Sequence, residues 1–335
     1  MPANTAVRLA RRPSGVPVPD DFAVTTEEAP EPGPGQFLVR TTMLSVDPAM
    51  RGWMDDAPSY LPPIALGEVI RAAGVGEVVA SQHPRYPVGT MVQANLGFQE
   101  YALSDGRDAV RIDPALGTPS MYLGVLGLTG LTAYFGLLEL GRPTAGDTVL
   151  VSAAAGAVGT IAAQIALIGG CRVVGIAGGP DKCRYLTDDL GLHAAIDYRE
   201  EGVRTAVRTA CPDGVDVYFD NVGGEILDAA LANLAMHARI VICGAISQYN
   251  AEARPAGPRN YLALLVRRAT MSGFLVFDYA SQYAVARRRL AGWVADGRLT
   301  APETIVPGAV TDFLPTFLRL FSGDNVGKLV LDVSA

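Results

Sequence analysis

Residues that cross-link chains or bind soft metals are scarce here: four cysteines and three histidines in 335 residues. Cys171, Cys183, Cys211 and Cys243 are scattered and form no CxxC pair, so neither a disulfide framework nor a thiolate metal site follows. His83, His193 and His237 make no cluster, and the expectation is that the protein binds no metal. No apolar run reaches membrane-spanning length, and the opening Met1-Pro2-Ala3-Asn4 carries no apolar leader, so the chain is expected in the cytoplasm without a membrane partner. Positive charge is also short. With 27 Lys and Arg against 34 Asp and Glu the net charge is −7, which leaves no electrostatic footprint for nucleic acid. Polarity is not in excess either: hydrophobic residues make up 49%, which excludes a disordered or collagen-like chain, and the length suits two domains rather than one core.

What the chain does hold is a stretch from Thr148 to Tyr198 that organises the rest. Thr148 to Ala153 is a β-branched and apolar run of the kind that makes a strand buried on both faces. It passes directly into Ala154-Ala155-Gly156-Ala157-Val158-Gly159, then a helical segment to Ile168, a Gly169-Gly170 stop and a second strand, Cys171 to Ile176. Strand, glycine turn, helix, strand is the βαβ unit in which small residues let backbone approach a pyrophosphate at a helix N-terminus. Ala154 occupies the first glycine position of the fingerprint, so the motif alone also fits a merely structural turn. Its cofactor-facing candidates are Ala154, Gly156, Ala157, Val158 and Gly159.

The end of the second strand selects the nucleotide. An NAD site places an acid about 20 residues past the first glycine to bind ribose hydroxyls. Here the sequence reads Ile176-Ala177-Gly178-Gly179-Pro180-Asp181-Lys182-Cys183-Arg184, with two glycines at the tip and positive charge just beyond. Lys or Arg pairs a 2′-phosphate that a carboxylate would repel, so NADPH/NADP+ is expected, with Gly178 and Lys182 at its phosphate end. The competing reading has Lys182 and Arg184 facing solvent on a new helix.

Ahead of this unit, short strands are expected at Ala6–Leu9, Phe22–Thr26, Phe37–Val46, Ile64–Ile70, Gly74–Val79, Thr90–Ala94 and Phe98–Leu103, in a small bent β domain. Between them, Asp47 to Met54 carries an unusual density of large side chains. After Ile176, βα alternation continues through strands at 194–198, 215–220 and 238–243, which predicts a doubly wound parallel sheet. A long helix over Tyr279–Ala295, a strand near Ile305, a helix over Val310–Phe321 and a closing strand at Lys328–Val333 follow. Propensity leaves open whether that last strand ends the nucleotide domain or returns to the β domain.

Together with Val46-Asp47-Pro48-Ala49-Met50-Arg51-Gly52, Gly130-Leu131-Thr132-Ala133-Tyr134, Asp220-Asn221-Val222-Gly223-Gly224, Ile246-Ser247-Gln248-Tyr249-Asn250 and Asn325-Val326-Gly327-Lys328, these segments resemble a known family. It is the zinc-independent medium-chain dehydrogenase/reductase superfamily, specifically its NADP-dependent alkenal and 15-oxo-prostaglandin (leukotriene B4 12-hydroxydehydrogenase-like) reductases, whose bacterial relatives include curcumin reductase. The resemblance implies a GroES-like β-barrel domain over residues 1–125, a Rossmann NADP-binding domain over 126–295, and a segment 296–335 that completes the first, usually in a homodimer. It implies that Lys182 and Tyr198 hold the 2′-phosphate end and that Asn221 and Asn325 belong to the nicotinamide side. The Gly127-Leu128-Thr129-Gly130 turn departs from the family, where a proline often stands.

The chemistry can be argued separately. An alcohol dehydrogenase commonly needs a metal to stabilise alkoxide, and the zone from Met43 to Asp47 offers no Cys/His set. Reduction of an activated C=C bond needs less, because conjugation delivers the new charge to a carbonyl oxygen that a hydroxyl can stabilise. Tyr249 follows a strand at the edge where nicotinamide is expected, so its phenol is the catalytic candidate; packing or cofactor contact is the plainer alternative. Met50, Arg51, Trp53 and Tyr60 are the candidate substrate wall, although such a cluster is as often core. The expected reaction is hydride transfer to the β-carbon of an α,β-unsaturated ketone or aldehyde, with the α-carbon protonated by solvent. A quinone reductase and a non-catalytic nucleotide-binding protein are the alternatives.

Overall fold

The computed structural model describes residues 2–200, 202–253 and 255–334. They form two compact units, Met1–Leu123 with Glu303–Ala335, and Gly124–Pro302. The chain builds the first unit's strands β1 (Ala3–Leu9), β2 (Phe22–Glu28), β3 (Phe37–Ser45), β4 (Ala73–Ser81), β5 (Met91–Asn95), β6 (Tyr101–Ser104) and β7 (Val110–Arg111), with the short helix α1 (Met50–Trp53) after β3. Ile64–Ile70 is not the expected strand. Ile64 and Ile70 are buried, but Gly67 turns the chain at φ +84° and only single bridges such as Arg8 to Val69 remain.

The second unit contains β8 (Thr148–Ser152), β9 (Arg172–Ala177), β10 (Ala194–Asp197), β11 (Val215–Asp220), β12 (Leu234–Ile242) and β13 (Thr270–Gly273). Its helices are α2 (Leu128–Phe135), α3 (Ala157–Ile168), α4 (Pro180–Arg184), α5 (Val203–Ala210), α6 (Gly224–Leu231), α7 (Ala263–Arg267) and α8 (Tyr283–Ala295). The strands pair in parallel in the order β10-β9-β8-β11-β12-β13. Every residue of β8 is buried, as its continuous apolar run predicts for a central parallel strand. The order reverses direction between β8 and β11, and in sheets of this kind the carboxyl ends of the strands at such a switch point are where ligands bind. The helix expected from Tyr279 divides, with a 3₁₀ segment over Val276–Gln282 before α8.

The chain then returns to the first unit through β14 (Glu303–Pro307), α9 (Phe313–Ser322) and β15 (Lys328–Asp332). β15 pairs antiparallel with β3, Leu331 opposite Leu44, and parallel with β14, so the closing strand belongs to the N-terminal sheet. α9 fills that unit's core: Phe313 stacks on Phe317 at 5.3 Å and tilts against Phe98 at 4.4 Å. Burying each ring stabilises the unit by roughly 2–3 kcal/mol. The division after Pro302, rather than after 295, has a local cause. Gln164 on α3 donates from Nε2 to the Thr300 carbonyl and accepts the Thr300 N–H at 2.7 Å, which holds 299–300 in the second unit. Among the described residues no helix is long and apolar enough to cross a membrane.

Candidate cofactor and active site

The loop after β8 is shaped for backbone rather than side chains. Ala153 sits at φ +46°, its carbonyl accepts the Gly156 N–H at 2.9 Å, and Gly156 begins α3. A Cβ on Gly159 would lie 2.2 Å from the Ala153 carbonyl oxygen, so only glycine lets the helix close on the turn. Ala154 and Gly159 are buried beneath the loop, whereas Gly156, Ala157 and Val158 are partly exposed at its rim. The free N–H groups and positive end of α3 form an anion-binding terminus.

At the tip of β9, Gly178 faces the Tyr198 ring, whose nearest carbon is 2.8 Å from where a Cβ would stand. The Gly179 N–H donates at 2.9 Å to Asp197 Oδ1, which also accepts the Arg199 N–H at 3.0 Å. Those backbone donors, Gly179 foremost, hold the Asp197 carboxyl below its ordinary range. Arg199 brings its guanidinium to within 3.4 Å of where a Cβ on Gly179 would stand. Lys182 lies on the first turn of α4, while Arg184 is exposed and ion-paired with Asp181. An acid does therefore reach the strand tip, though from β10 and already engaged by two amides. Asp197 and Arg199 escape a linear reading because only the register of β10 on β9, Asp197 opposite Ala177, brings them to the glycines.

At the switch point the ends of β8, β11 and β12 are laced together. Asn221 Nδ2 donates to the Ser152 carbonyl at 2.7 Å, and its N–H donates to Ser152 Oγ at 2.9 Å. The Asn221 carbonyl accepts the Ile246 N–H, and the Val222 carbonyl accepts both the N–H and the hydroxyl of Ser247. Tyr249 closes that turn, its phenol oxygen accepting the Ala245 N–H at 3.2 Å. Nearby, the Cys243 thiol is pushed up to about 12 by desolvation and then by the Asp220 carboxylate. Tyr218 is raised well above its ordinary value by the same two causes in the same order.

The substrate-wall candidates of the first unit part company. Met50 is wholly buried in the core with Met54, Phe98 and Phe313. Arg51 is only 3% exposed; it donates to the carbonyls of Gly15 and Pro13 and pairs with Asp55 at 2.6 Å. Both side chains are committed to packing, because α1 turns these positions inward and the peptide carbonyls of the Pro13–Gly15 segment need a buried donor. Trp53 and Tyr60 keep exposed surface: the indole N–H donates to the Tyr60 hydroxyl at 3.1 Å, and Arg71 lies over the indole ring. Asn325 donates to the Gly327 carbonyl, and Lys328 is buried on the Val46 carbonyl and Asp47. His83 and His193 each accept a backbone N–H through Nδ1, and His237 is an exposed residue within β12 at φ +60°.

A parallel sheet in the order 3-2-1-4-5-6, with a glycine loop at the switch point and a separate β unit closed by the C-terminal strand, defines a two-unit, nucleotide-dependent oxidoreductase. Comparisons with known proteins agree. Residues 5–112 match a family described as the N-terminal domain of oxidoreductase and residues 157–291 one described as zinc-binding dehydrogenase. Among the described residues no group of three or more His, Cys, Asp or Glu is placed to hold a metal ion. The NADPH-dependent curcumin reductase of Escherichia coli is 41% identical over 97% of this chain and 96% of its own. A 2-alkenal reductase (NADP(+)-dependent) of Nicotiana tabacum is 38% identical over 99% and 98%. The crystal structure of CurA in complex with NADPH from Vibrio vulnificus superposes with a TM-score of 0.93 at 41% identity, covering 99% of both chains. The chain belongs to the medium-chain dehydrogenase/reductase family, within the group of NADP-dependent alkenal, prostaglandin and curcumin reductases.

Proposed function

We propose that this protein is an NADPH-dependent enone and enal reductase that works without zinc, as a cytoplasmic homodimer. The observation that carries the reading is the laced carboxyl edge at the switch point, where Asn221 and the Tyr249 turn stand beside the glycine loop. The likeness to curcumin and alkenal reductases supplies the substrate class.

The site fits the cofactor. The α3 N-terminus offers N–H groups to a pyrophosphate, with Ala154 and Gly159 supporting the loop beneath. Gly178, with the Tyr198 ring packed on it, and Lys182 on the first turn of α4 are the proposed hold on the 2′-phosphate. When bound, NADPH supplies the hydride that goes to the β-carbon. The chain's own part is to orient and to stabilise charge. Asn221 and Asn325 are the residues proposed for the nicotinamide side. The Tyr249 phenol oxygen accepts the Ala245 N–H, and its hydroxyl is the proposed hydrogen-bond donor to the carbonyl oxygen on which enolate charge collects. Solvent then protonates the α-carbon. Trp53 and Tyr60 remain as proposed substrate contacts.

Incubation with 4R- and 4S-deuterated NADPH and a panel of enones tests the reaction. Label at the β-carbon of a saturated carbonyl product is expected; label on the carbinol carbon of an allylic alcohol, or reduction of quinones alone, would defeat the reading. Active protein is expected to hold no stoichiometric metal by mass spectrometry. For the dimer, the support is β13, an edge strand exposed along its whole length and carrying Met271, together with exposed Leu265 and Val266 on the preceding α7. Light scattering should give twice the chain mass.

A further inference from the structure

Asp220 is the least exposed carboxylate at the switch point, 1% accessible at the end of β11, and none of the roles above uses it. Four donors converge on its Oδ1: the Tyr218 hydroxyl at 2.7 Å, the Gly223 N–H at 2.9 Å, the Val222 N–H at 3.0 Å and the Ser152 hydroxyl at 3.1 Å. Its carbonyl accepts the N–H groups of Cys243 and Gly244, at 2.8 and 3.0 Å, from the end of β12. One residue thus grips three strand ends. Ser152 passes the grip to Asn221, whose N–H it accepts, and the Asn221 and Val222 carbonyls pass it to Ile246 and Ser247, which lead into Tyr249.

A buried carboxylate is costly to hold unless donors satisfy it, and a turn that needed only a cap would be served by one or two backbone amides. Here two side-chain hydroxyls from different strands join the amides, so loss of the carboxylate unties Ser152 of β8 from Tyr218 and the Val222–Gly223 turn at the end of β11, at the point where the cofactor is expected, while the Asp220 carbonyl keeps its hold on β12. We propose that Asp220 is a positioning residue: its carboxylate locks the Ser152, Asn221 and Tyr249 segments into a single rigid edge, so that cofactor binding and the action of Tyr249 depend on each other. The inference builds on the catalytic reading of Tyr249, and its cofactor half stands without it.

The test uses the full-length protein with Asp220→Ala, Asp220→Asn and Ser152→Ala, each alone and combined with Tyr249→Phe. NADPH affinity is read by fluorescence, and hydride transfer in single turnovers with an enone. Asp220→Ala is expected to weaken NADPH about tenfold and to slow hydride transfer by a larger factor, about thirtyfold or more. Asp220→Asn, which keeps an acceptor oxygen of the same shape, should return NADPH affinity to within about threefold of wild type. The decisive reading is coupling. Tyr249→Phe should slow transfer in the wild-type background and lose most of that effect beside Asp220→Ala, whereas a merely structural role leaves the two effects multiplicative. Should Asp220→Ala not fold, Ser152→Ala, which removes one donor to the carboxylate and the acceptor of the Asn221 N–H, must show the same coupling at smaller size. Wild-type NADPH affinity and transfer rate in a folded Asp220→Ala protein, or multiplicative effects with Tyr249→Phe, would overturn the inference. If Tyr249→Phe has no effect in the wild-type background, the Tyr249 reading fails. Asp220 is then judged on NADPH affinity, supported by the tenfold loss with Asn rescue and refuted by its absence.

Discussion

The loop after β3 and the loop after β8 both carry family-like motifs, and they use their residues in opposite ways. After β8, Ala153 to Gly159 presents backbone: small residues clear the space, and a Cβ at Gly159 would strike the Ala153 carbonyl. After β3, Asp47 to Met54 presents side chains, and most of the large ones turn inward. Met50 and Met54 fill the core and Arg51 ties the loop to the Pro13 and Gly15 carbonyls. A site made of backbone is recorded in sequence as missing side chains in one short contiguous run. A site made of large side chains is recorded ambiguously, because the same Met, Arg and Trp can fill a core or line a pocket.

The contrast can be broken most severely at Gly159. Gly159→Val forces the helix off its turn, and NADPH affinity should fall by roughly a hundredfold or more, measured by fluorescence titration. Near wild-type affinity would mean that the loop tolerates side chains after all. In the other loop, Arg51→Ala should leave NADPH affinity unchanged while costing about 2–4 kcal/mol of stability in urea unfolding, because two buried carbonyls lose their donor. Arg184→Ala, which breaks an ion pair at the surface, should cost under about 0.5 kcal/mol and serves as the control. An Arg51 variant that raised KM for enones with stability intact would return that side chain to the substrate wall.

Lys182→Glu sharpens the nucleotide end. It should raise KM for NADPH about tenfold or more and change that for NADH little, since the new carboxylate repels only the extra phosphate. Equal efficiency with both cofactors in the wild-type protein would remove the 2′-phosphate site. A small effect of the opposite sign is expected from Ala153→Gly. Ala153 is held at φ +46°, where an L side chain is strained, so glycine should stabilise the loop by about 0.5–1 kcal/mol, with NADPH binding intact. Thermal unfolding monitored with and without NADPH would show it.

Sequence alone determined the parallel unit, because continuous apolar strands, glycine turns and amphipathic segments alternate locally and each element nearly dictates its neighbour's place. It also determined the glycine loop and the basic residue beyond the second strand, since both are contiguous. Tertiary structure decided what depends on residues distant along the chain. The pairing of β15 with β3 joins residues 285 to 289 positions apart, Val330 opposite Ser45 and Asp332 opposite Met43, and strand propensity is indifferent to that choice. Likewise Asp197 and Arg199 reach Gly179 through the register of β10 on β9, and Asp220 gathers Ser152 and Gly244 only because β8, β11 and β12 lie side by side. The inward turn of Met50 was decided in the same way, by a core completed with Phe313 and Phe317 from the far end of the chain, and that of Arg51 by the Pro13 and Gly15 carbonyls.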